Sequence, residues 1–136
     1  MTSPSRLQLA LNVDDLDRSV AFYTTLFDTE PHKVRPGYAN FEVAAPPLKL
    51  VLIENPGHGG AVNHLGVEVA DTATVEAHQA RLAGAGLAAV EERDTTCCYA
   101  RQDKFWVEHT PDGERWEIYT ITDDEPEDQE GASCCG

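Results

Sequence analysis

Two adjacent cysteine pairs, Cys97-Cys98 and Cys134-Cys135, are the side chains of this sequence best suited to unusual chemistry. Neighbouring Cα atoms lie about 3.8 Å apart across a trans peptide, less than the roughly 4.4 to 6.8 Å a disulfide usually spans. An unstrained bridge within either pair is therefore not expected. Bridging between the pairs is open in principle, although a reducing cytosol would keep all four as thiols. Two neighbouring thiolates can instead close a small chelate ring on a soft centre such as arsenic(III), cadmium(II) or mercury(II). The plainer reading of either cysteine alone is a small buried apolar side chain. Arg101 or Lys104 would favour the thiolate if the fold brought one of them close.

A second constellation emerges from strand phase, because side chains alternate between the faces of a strand. In Gln8-Leu-Ala-Leu-Asn-Val13, Leu7, Leu9, Leu11 and Val13 share one side, and Gln8, Ala10 and Asn12 the other. The stretch His64-Leu-Gly-Val-Glu-Val69 repeats the pattern, with Leu65, Val67 and Val69 on one side and His64, Gly66 and Glu68 opposite. Gln8 and His64 then hold equivalent positions. In a third strand Glu117 lies on the side of Arg115, Tyr119 and Ile121, opposite Trp116, Ile118 and Thr120. A carboxylate there costs free energy unless it is paired or binds a cation. One amide, one imidazole and one carboxylate on three strands make a divalent-metal site with open coordination positions, suited to substrate or dioxygen chemistry rather than to a closed structural zinc. Pairing Leu48-Lys-Leu50 with Arg115-Trp-Glu117 puts Leu50 at the corresponding place of the first half, where no ligand is available. Each residue also has an ordinary explanation: an exposed strand glutamine, a satisfied core histidine, and a glutamate paired with Arg115 or Lys49.

The elements that must position these groups read as two β-α-β-β-β modules, residues 6–55 and 62–122, giving an α+β fold in which a curved mixed sheet surrounds one metal site. Leu16, Val20, Tyr23 and Phe27 form a helical stripe behind Asp14 or Asp15 as cap. A weaker stripe of Val75, Leu82 and Ala85 runs to Gly84 and Gly86. Strands follow at 38–44 and 48–54 in the first module, and at about 88–94, 99–109 and 114–122 in the second. Pro46-Pro47 and Pro111-Asp-Gly113 mark turns, and Asn55-Pro-Gly-His-Gly-Gly60 joins the modules. Residues 123–136 have no aliphatic side chain beyond alanine and no aromatic one, so a disordered acidic tail is expected.

Charge narrows the partners. The 136 residues carry 24 Asp and Glu against 10 Lys and Arg, a net charge of -14. Six of the acids lie beyond position 122, leaving 18 against 10 in the rest. Nucleic acid and anionic membrane are poor partners for such a chain. No apolar run reaches the roughly 18 residues of a membrane span, and residues 1–6 lack an export signal, so the expected location is the cytoplasm. His32, His58, His78 and His109 fall in loops or on a helix and read as solvated.

The repeated module, with His64-Leu-Gly-Val67 and Pro111-Asp-Gly113 ahead of Trp116-Glu117, resembles the vicinal oxygen chelate superfamily of glyoxalase I, bleomycin-resistance proteins and extradiol dioxygenases. Within it, Arg35-Pro-Gly-Tyr-Ala-Asn-Phe41, Pro46-Pro-Leu-Lys-Leu-Val-Leu52, Asn63-His-Leu-Gly-Val-Glu-Val69, Thr95-Thr-Cys-Cys98 and Gln102-Asp-Lys104 closely resemble the ArsI/CadI family of organoarsenical carbon-arsenic lyases and cadmium-induced proteins. The resemblance covers residues 5–122. It implies a non-haem Fe(II) enzyme that uses dioxygen to cleave trivalent organoarsenicals such as methylarsenite, releasing arsenite. It also implies Gln8, His64 and Glu117 as metal ligands and Cys97 and Cys98 as the arsenical-binding pair, with Tyr99 and Lys104 beside the substrate. Many superfamily members have His where Gln8 stands, and a neutral amide is the weaker iron ligand. By the same resemblance Cys97, Cys98 and Glu117 carry the catalysis, and a homodimer accords with the superfamily's habits; separately, the stretch Gln102 to Lys104, close in sequence to the thiols, reads either as a lid or as an ordinary polar hairpin end. Two alternatives stand beside this reading: a binder that sequesters cadmium or arsenite without catalysis, and a drug-binding resistance protein needing neither thiols nor iron. Cys134-Cys135 on its acidic tether is inert, a relay for soft metalloids, or a scavenging chelator.

Overall fold

An aspartate starts each helix. Asp15 caps α1 (Leu16–Phe27) by accepting the Arg18 N–H at 3.2 Å, and Asp71 caps α2 (Thr72–Gly84) by accepting the Thr74 N–H at 2.8 Å and its hydroxyl at 2.7 Å. In the computed structural model, which describes residues 5–87 and 89–126, the strands are β1 (Arg6–Val13), β2 (Lys33–Arg35), β3 (Tyr38–Val43), β4 (Leu48–Glu54), β5 (Val62–Glu68), β6 (Ala89–Cys97), β7 (Ala100–Val107) and β8 (Trp116–Asp123). The β-α-β-β-β order thus occurs twice. The chain forms two compact units, one of residues 6–65 and one built on residues 66 onward. No helix among the described residues is long and apolar enough to cross a membrane.

In the first unit the order is β2-β3-β4-β1, with β5 beginning alongside β1. β1 and β4 run parallel, while β2, β3 and β4 are antiparallel. The register separates two faces. Val13, Leu16, Ala39, Phe41, Val43, Leu50 and Leu52 form a core to which Leu9, Leu11, Val20, Tyr23 and Phe27 add, so the expected α1 stripe does cover the sheet. The opposite face carries Gln8, Ala10 and Asn12 on β1, Lys49 and Val51 on β4, and Asn40 on β3. All six are buried. Leu7, expected on the apolar side, is exposed.

Three expectations change here. The three-residue β2 was not among the strands foreseen, being too short for an alternation to declare itself. Lys49, not Leu50, stands beside Gln8 in the register, and Leu50 points into the α1 core. Lys49 follows the first residue of β4 as Glu117 follows that of β8, so the earlier pairing slipped by one residue, and such a slip turns every side chain to the other face. Asp14 does not cap α1. Its carboxylate accepts the Gly57 N–H at 2.8 Å and the Gly59 N–H at 3.1 Å, fastening the loop ahead of β5.

In the second unit the end of β5 is followed by β8, β7 and β6. Val69, Val75, Phe105 and Ile118 form its core with Val67, Leu82 and Val107. The other face carries Gln102 and Lys104 on β7 with Glu117 and Tyr119 on β8, again polar yet buried. β6 and β7 pair in antiparallel fashion with a bulge between Glu92 and Thr95, at which Asp94 has φ +49°. Asp103 on β7 holds the bulge, one carboxylate oxygen accepting the Asp94 N–H at 2.7 Å and the other the Thr72 hydroxyl at 2.7 Å. β8 continues to Asp123, whose carboxylate accepts the Glu125 N–H at 3.0 Å, and Pro126 is buried. Order therefore extends past the expected start of the tail, because backbone pairing needs no apolar side chain. The remainder of that tail, including Cys134-Cys135, lies outside the described residues.

Two stability predictions follow from these anchors. A Cβ on Gly59 would stand 2.6 to 2.9 Å from the Asp14 carboxylate atoms, so Gly59→Ala displaces that anchor; a loss of about 1 kcal/mol is expected, read as a lower thermal midpoint. The Asp94 N–H, opposed by partial burial and aided by the Thr72 hydroxyl and the Arg93 charge, holds the Asp103 carboxyl below its usual range. With the folded value depressed, this contribution is complete above the unfolded value of about 3.9 and is lost as pH falls through the folded value. Asp103→Asn should accordingly be less stable than wild type at pH 7, with the gap closing below about pH 4 in melts recorded from pH 7 to 2.5.

Candidate functional site

The hairpin joining β6 to β7 turns in two residues, Cys98 and Tyr99, between the paired Cys97 and Ala100. Both turn residues are left-handed, with φ +53° and +61°, the pattern of a type I′ turn, which usually selects Asn-Gly. Non-glycine residues in this region cost about 1 kcal/mol or more each, so other contacts must hold them. Gln102 Nε2 donates to the Cys97 carbonyl at 2.7 Å, and Cys97, Tyr99 and Gln102 are all buried. The outcome is a fixed pair of sulfurs, Cys97 Sγ and Cys98 Sγ, 3.7 Å apart. Two metal–sulfur bonds of about 2.3 Å meeting near the tetrahedral angle span a similar distance. Both cysteines are disulfide-bonded in this structure. The expectation of free thiols at these positions is therefore not met in this structure, and they arise only on reduction.

Lys104 lies beneath this turn. Its side chain is 1% exposed, and Nζ is 3.3 Å from Cys97 Sγ and 3.0 Å from Glu117 Oε1. The same ammonium lies 5.3 Å from the centre of the Trp106 ring, whose other cationic neighbour is Arg115 at 4.5 Å, while Trp106 Nε1 donates to Glu92 at 2.7 Å. Tyr119, next along the Glu117 face, donates its hydroxyl to Glu68 at 3.1 Å. The notion of a lid at Gln102 to Lys104 is therefore wrong. These residues lie within strand β7, with Gln102 and Lys104 buried and Asp103 half-buried. Of the two cations proposed for the thiols, Lys104 reaches Cys97, and the Arg101 guanidinium faces the Asp94 carboxylate at 3.6 Å.

The expected metal ligands are divided between the units, Gln8 and His64 in the first and Glu117 in the second. Gln8 is 6%, His64 2% and Glu117 3% exposed, so none of the three is the ordinary solvated side chain its residue type suggests. His64 Nδ1 lies 2.7 Å from Asn63 Oδ1. A carbonyl oxygen only accepts, so this contact calls for a proton on Nδ1, and in the neutral imidazole that leaves the lone pair on Nε2, the form a metal requires. No three His, Cys, Asp or Glu side chains among the described residues cluster as a metal site; the trio contains only two residues of those types, its third donor being an amide. An imidazole, a carboxylate and an amide oxygen form a hard to borderline donor set that fits Fe(II) or Mn(II), whereas the sulfur pair fits soft ions.

Beside Gln8 in the register, Lys49 is buried, with Nζ 3.9 Å from Glu42. Burial raises the Glu42 carboxyl, but the Arg6 hydrogen bond and the charges of Lys49, Arg6 and His32 outweigh it and hold the group below its usual range. Asn40 donates to the Tyr38 hydroxyl at 2.9 Å, and its Oδ1 is buried without a hydrogen-bond partner among the described residues. His32, His58 and His109 are exposed and His78 is half-buried.

Residues 6–118 match the family model of the Glyoxalase/Bleomycin resistance protein/Dioxygenase superfamily. The chain is 55% identical over 142 aligned positions to the cadmium-induced protein CadI of Mycobacterium tuberculosis, covering 96% of this chain and 93% of that protein. It is 59% identical over 121 positions to a trivalent organoarsenical cleaving enzyme of Thermomonospora curvata, covering 88% and 80% respectively. Among solved structures, the 2,3-dioxygenase LapB of Pseudomonas sp. KL28 superposes with a TM-score of 0.65 at 19% identity, over 88% of this chain and 42% of that one. The Mn(II)-bound glyoxalase of Novosphingobium aromaticivorans gives 0.63 at 18%, over 92% and 43%. At these identities the two structures speak to the fold alone, and they agree with the paired modules. The chain therefore belongs to the glyoxalase, bleomycin-resistance and dioxygenase superfamily, and within it to the ArsI/CadI family of cadmium-induced proteins and organoarsenical cleaving enzymes.

Proposed function

We propose that this chain is an Fe(II)-dependent enzyme that uses dioxygen to cleave the carbon-arsenic bond of trivalent organoarsenicals such as methylarsenite, with arsenite as product. The observation that carries the reading is the buried Lys104 ammonium, 3.3 Å from Cys97 Sγ and 3.0 Å from Glu117 Oε1, beneath two sulfurs 3.7 Å apart. It joins a soft-ion chelate to a carboxylate of the ligand trio within one hairpin and its neighbouring strand. Relatives whose names describe organoarsenical cleavage support the reaction class.

The division of labour follows from the side chains. Reduced Cys97 and Cys98 grip trivalent arsenic and fix the direction of its organic substituent, which turns a bimolecular encounter into a step within one complex. Lys104 favours the thiolate of Cys97 by its charge and steadies the Glu117 carboxylate through its other hydrogen bond. Tyr99 and Gln102 keep the turn, and hence the sulfurs, in one orientation. Gln8, His64 and Glu117 would hold the metal, whose chemistry when bound is dioxygen activation. A thiol-keeping compartment, the cytoplasm, suits this division of labour. The second reading, a thiol-based sequestering protein, is favoured by the relatives named for cadmium induction.

Reduced, anaerobically Fe(II)-loaded protein exposed to methylarsenite and air should consume oxygen and release arsenite. Cys97→Ser should lower kcat/KM by about 100-fold or more. His64→Ala should abolish product while leaving uptake of arsenite by the thiols intact, and protein that has not been reduced should take up none. Product formation that is absent in every preparation, beside stoichiometric cadmium or arsenite binding, would establish the sequestering protein instead.

A further inference from the structure

Three asparagines of the first unit converge behind His64. Asn12 on β1 is 7% exposed, and its backbone is pinned, its N–H donating to the Ala61 carbonyl at 2.9 Å and its carbonyl accepting the Gly60 N–H at 2.9 Å. Asn12 Oδ1 accepts the Asn63 side-chain amide at 3.1 Å and, more weakly, that of Asn55 at 3.4 Å. With its NH2 group committed to Asn12, Asn63 turns its carbonyl oxygen to His64 Nδ1 at 2.7 Å. The directions are coupled. A donor at Asn63 facing Asn12 leaves an acceptor facing the imidazole, and an acceptor there requires the ring proton on Nδ1.

Adjacent strand residues ordinarily point to opposite faces, so a close contact between Asn63 and His64 does not follow from strand geometry. A side chain spent on holding its neighbour's ring makes sense where one nitrogen of that ring must be presented in a definite direction. Groups hydrogen-bonded to the distal nitrogen of a ligating histidine fix its tautomer and rotation, and losing one commonly costs 10- to 100-fold in metal affinity.

We infer that Asn63, held in turn by Asn12, is a positioning residue that fixes the Nδ1–H tautomer and the rotation of His64, so that Nε2 is delivered as the metal ligand. The inference rests on the reading of His64 as a ligand and assigns a task to two residues that touch neither metal nor substrate. Neither is singled out by its own sequence context, since asparagine on a strand reads as a surface residue.

Two measurements on the full-length, reduced protein test this. In the metal-free form, nitrogen NMR of labelled histidine should show a protonated Nδ1 and an unprotonated Nε2 for His64; Asn63→Leu should give a mixture of the two tautomers. In anaerobic titrations with Co(II) as the probe, Asn63→Leu and Asn12→Leu should weaken binding by about 10- to 100-fold. Asn63→Asp, whose carboxylate accepts the same ring proton, should stay within a few-fold of wild type once the Asn12 amide turns over to donate. His64→Ala separates the two ideas. If it binds Co(II) as wild type does, the ligand reading fails. If it abolishes binding while Asn63→Leu, folded by circular dichroism, keeps both affinity and the Nδ1 proton, the positioning role is overturned. A wild-type His64 protonated on Nε2 overturns it as well.

Discussion

The second unit is organised around one buried cation. Taking an ammonium and a carboxylate out of water costs several kcal/mol per ion, and Lys104 and Glu117 are almost completely enclosed. Such a pair persists only where its remaining partners are good, and here they are the Cys97 sulfur and the face of Trp106. Leaving either charge alone in that position would be strongly destabilising, by about 3–5 kcal/mol, so β7 and β8 are held to a single register at the level of the pair. The turn that bears the cysteines extends from one end of this pairing. Its geometry is inherited from the ladder beneath it.

Both units follow the same economy of faces. Each unit gives the aliphatic side of its strands to a single helix and keeps a second side that is buried but polar: Gln8, Asn12, Asn40 and Lys49 in one unit, and Gln102, Lys104 and Glu117 in the other. A fold built only for stability would not enclose so many groups that need partners. The helices show the complementary asymmetry. α1 leaves Phe22 and Leu26 exposed, and α2 buries only Val75 fully. The polar faces, more than the helices, are where the side chains are constrained.

Much of this was legible in the sequence because it is written in periodicity. Alternation in β1, β5 and β8 separates Gln8, His64 and Glu117 from their aliphatic neighbours, and Asp15 and Asp71 announce the helices. The alternation is blind to register, which is why Leu50 was matched to Glu117 when Lys49 stands there. It is equally blind to side chains that act sideways along one strand, as Asn63 does on His64. The cysteines declared their chemistry by type, but not their conformation: Cys98-Tyr99 has none of the turn composition that would forecast two left-handed residues. Lys104 could be named as a candidate for proximity to sulfur, yet only the pairing of β7 with β6 and β8 brings it there. Contacts between strands distant in sequence are where reading by pattern stops.

The hairpin tip sets stability against aim. Glycine at position 98 or 99 would relax a backbone that L-residues enter reluctantly, so mutation toward a sturdier fold leads away from the strained tip. Replacing Cys98 forfeits a chelating atom outright, and replacing Tyr99 frees the loop to wander, so the surplus energy stored in that corner is a standing charge for keeping two sulfurs pointed the same way. Variants of this scaffold that have shed the vicinal pair should therefore drift readily to ordinary turn residues, and a relative that keeps two left-handed, non-glycine residues there reveals by backbone alone that the sulfurs still matter.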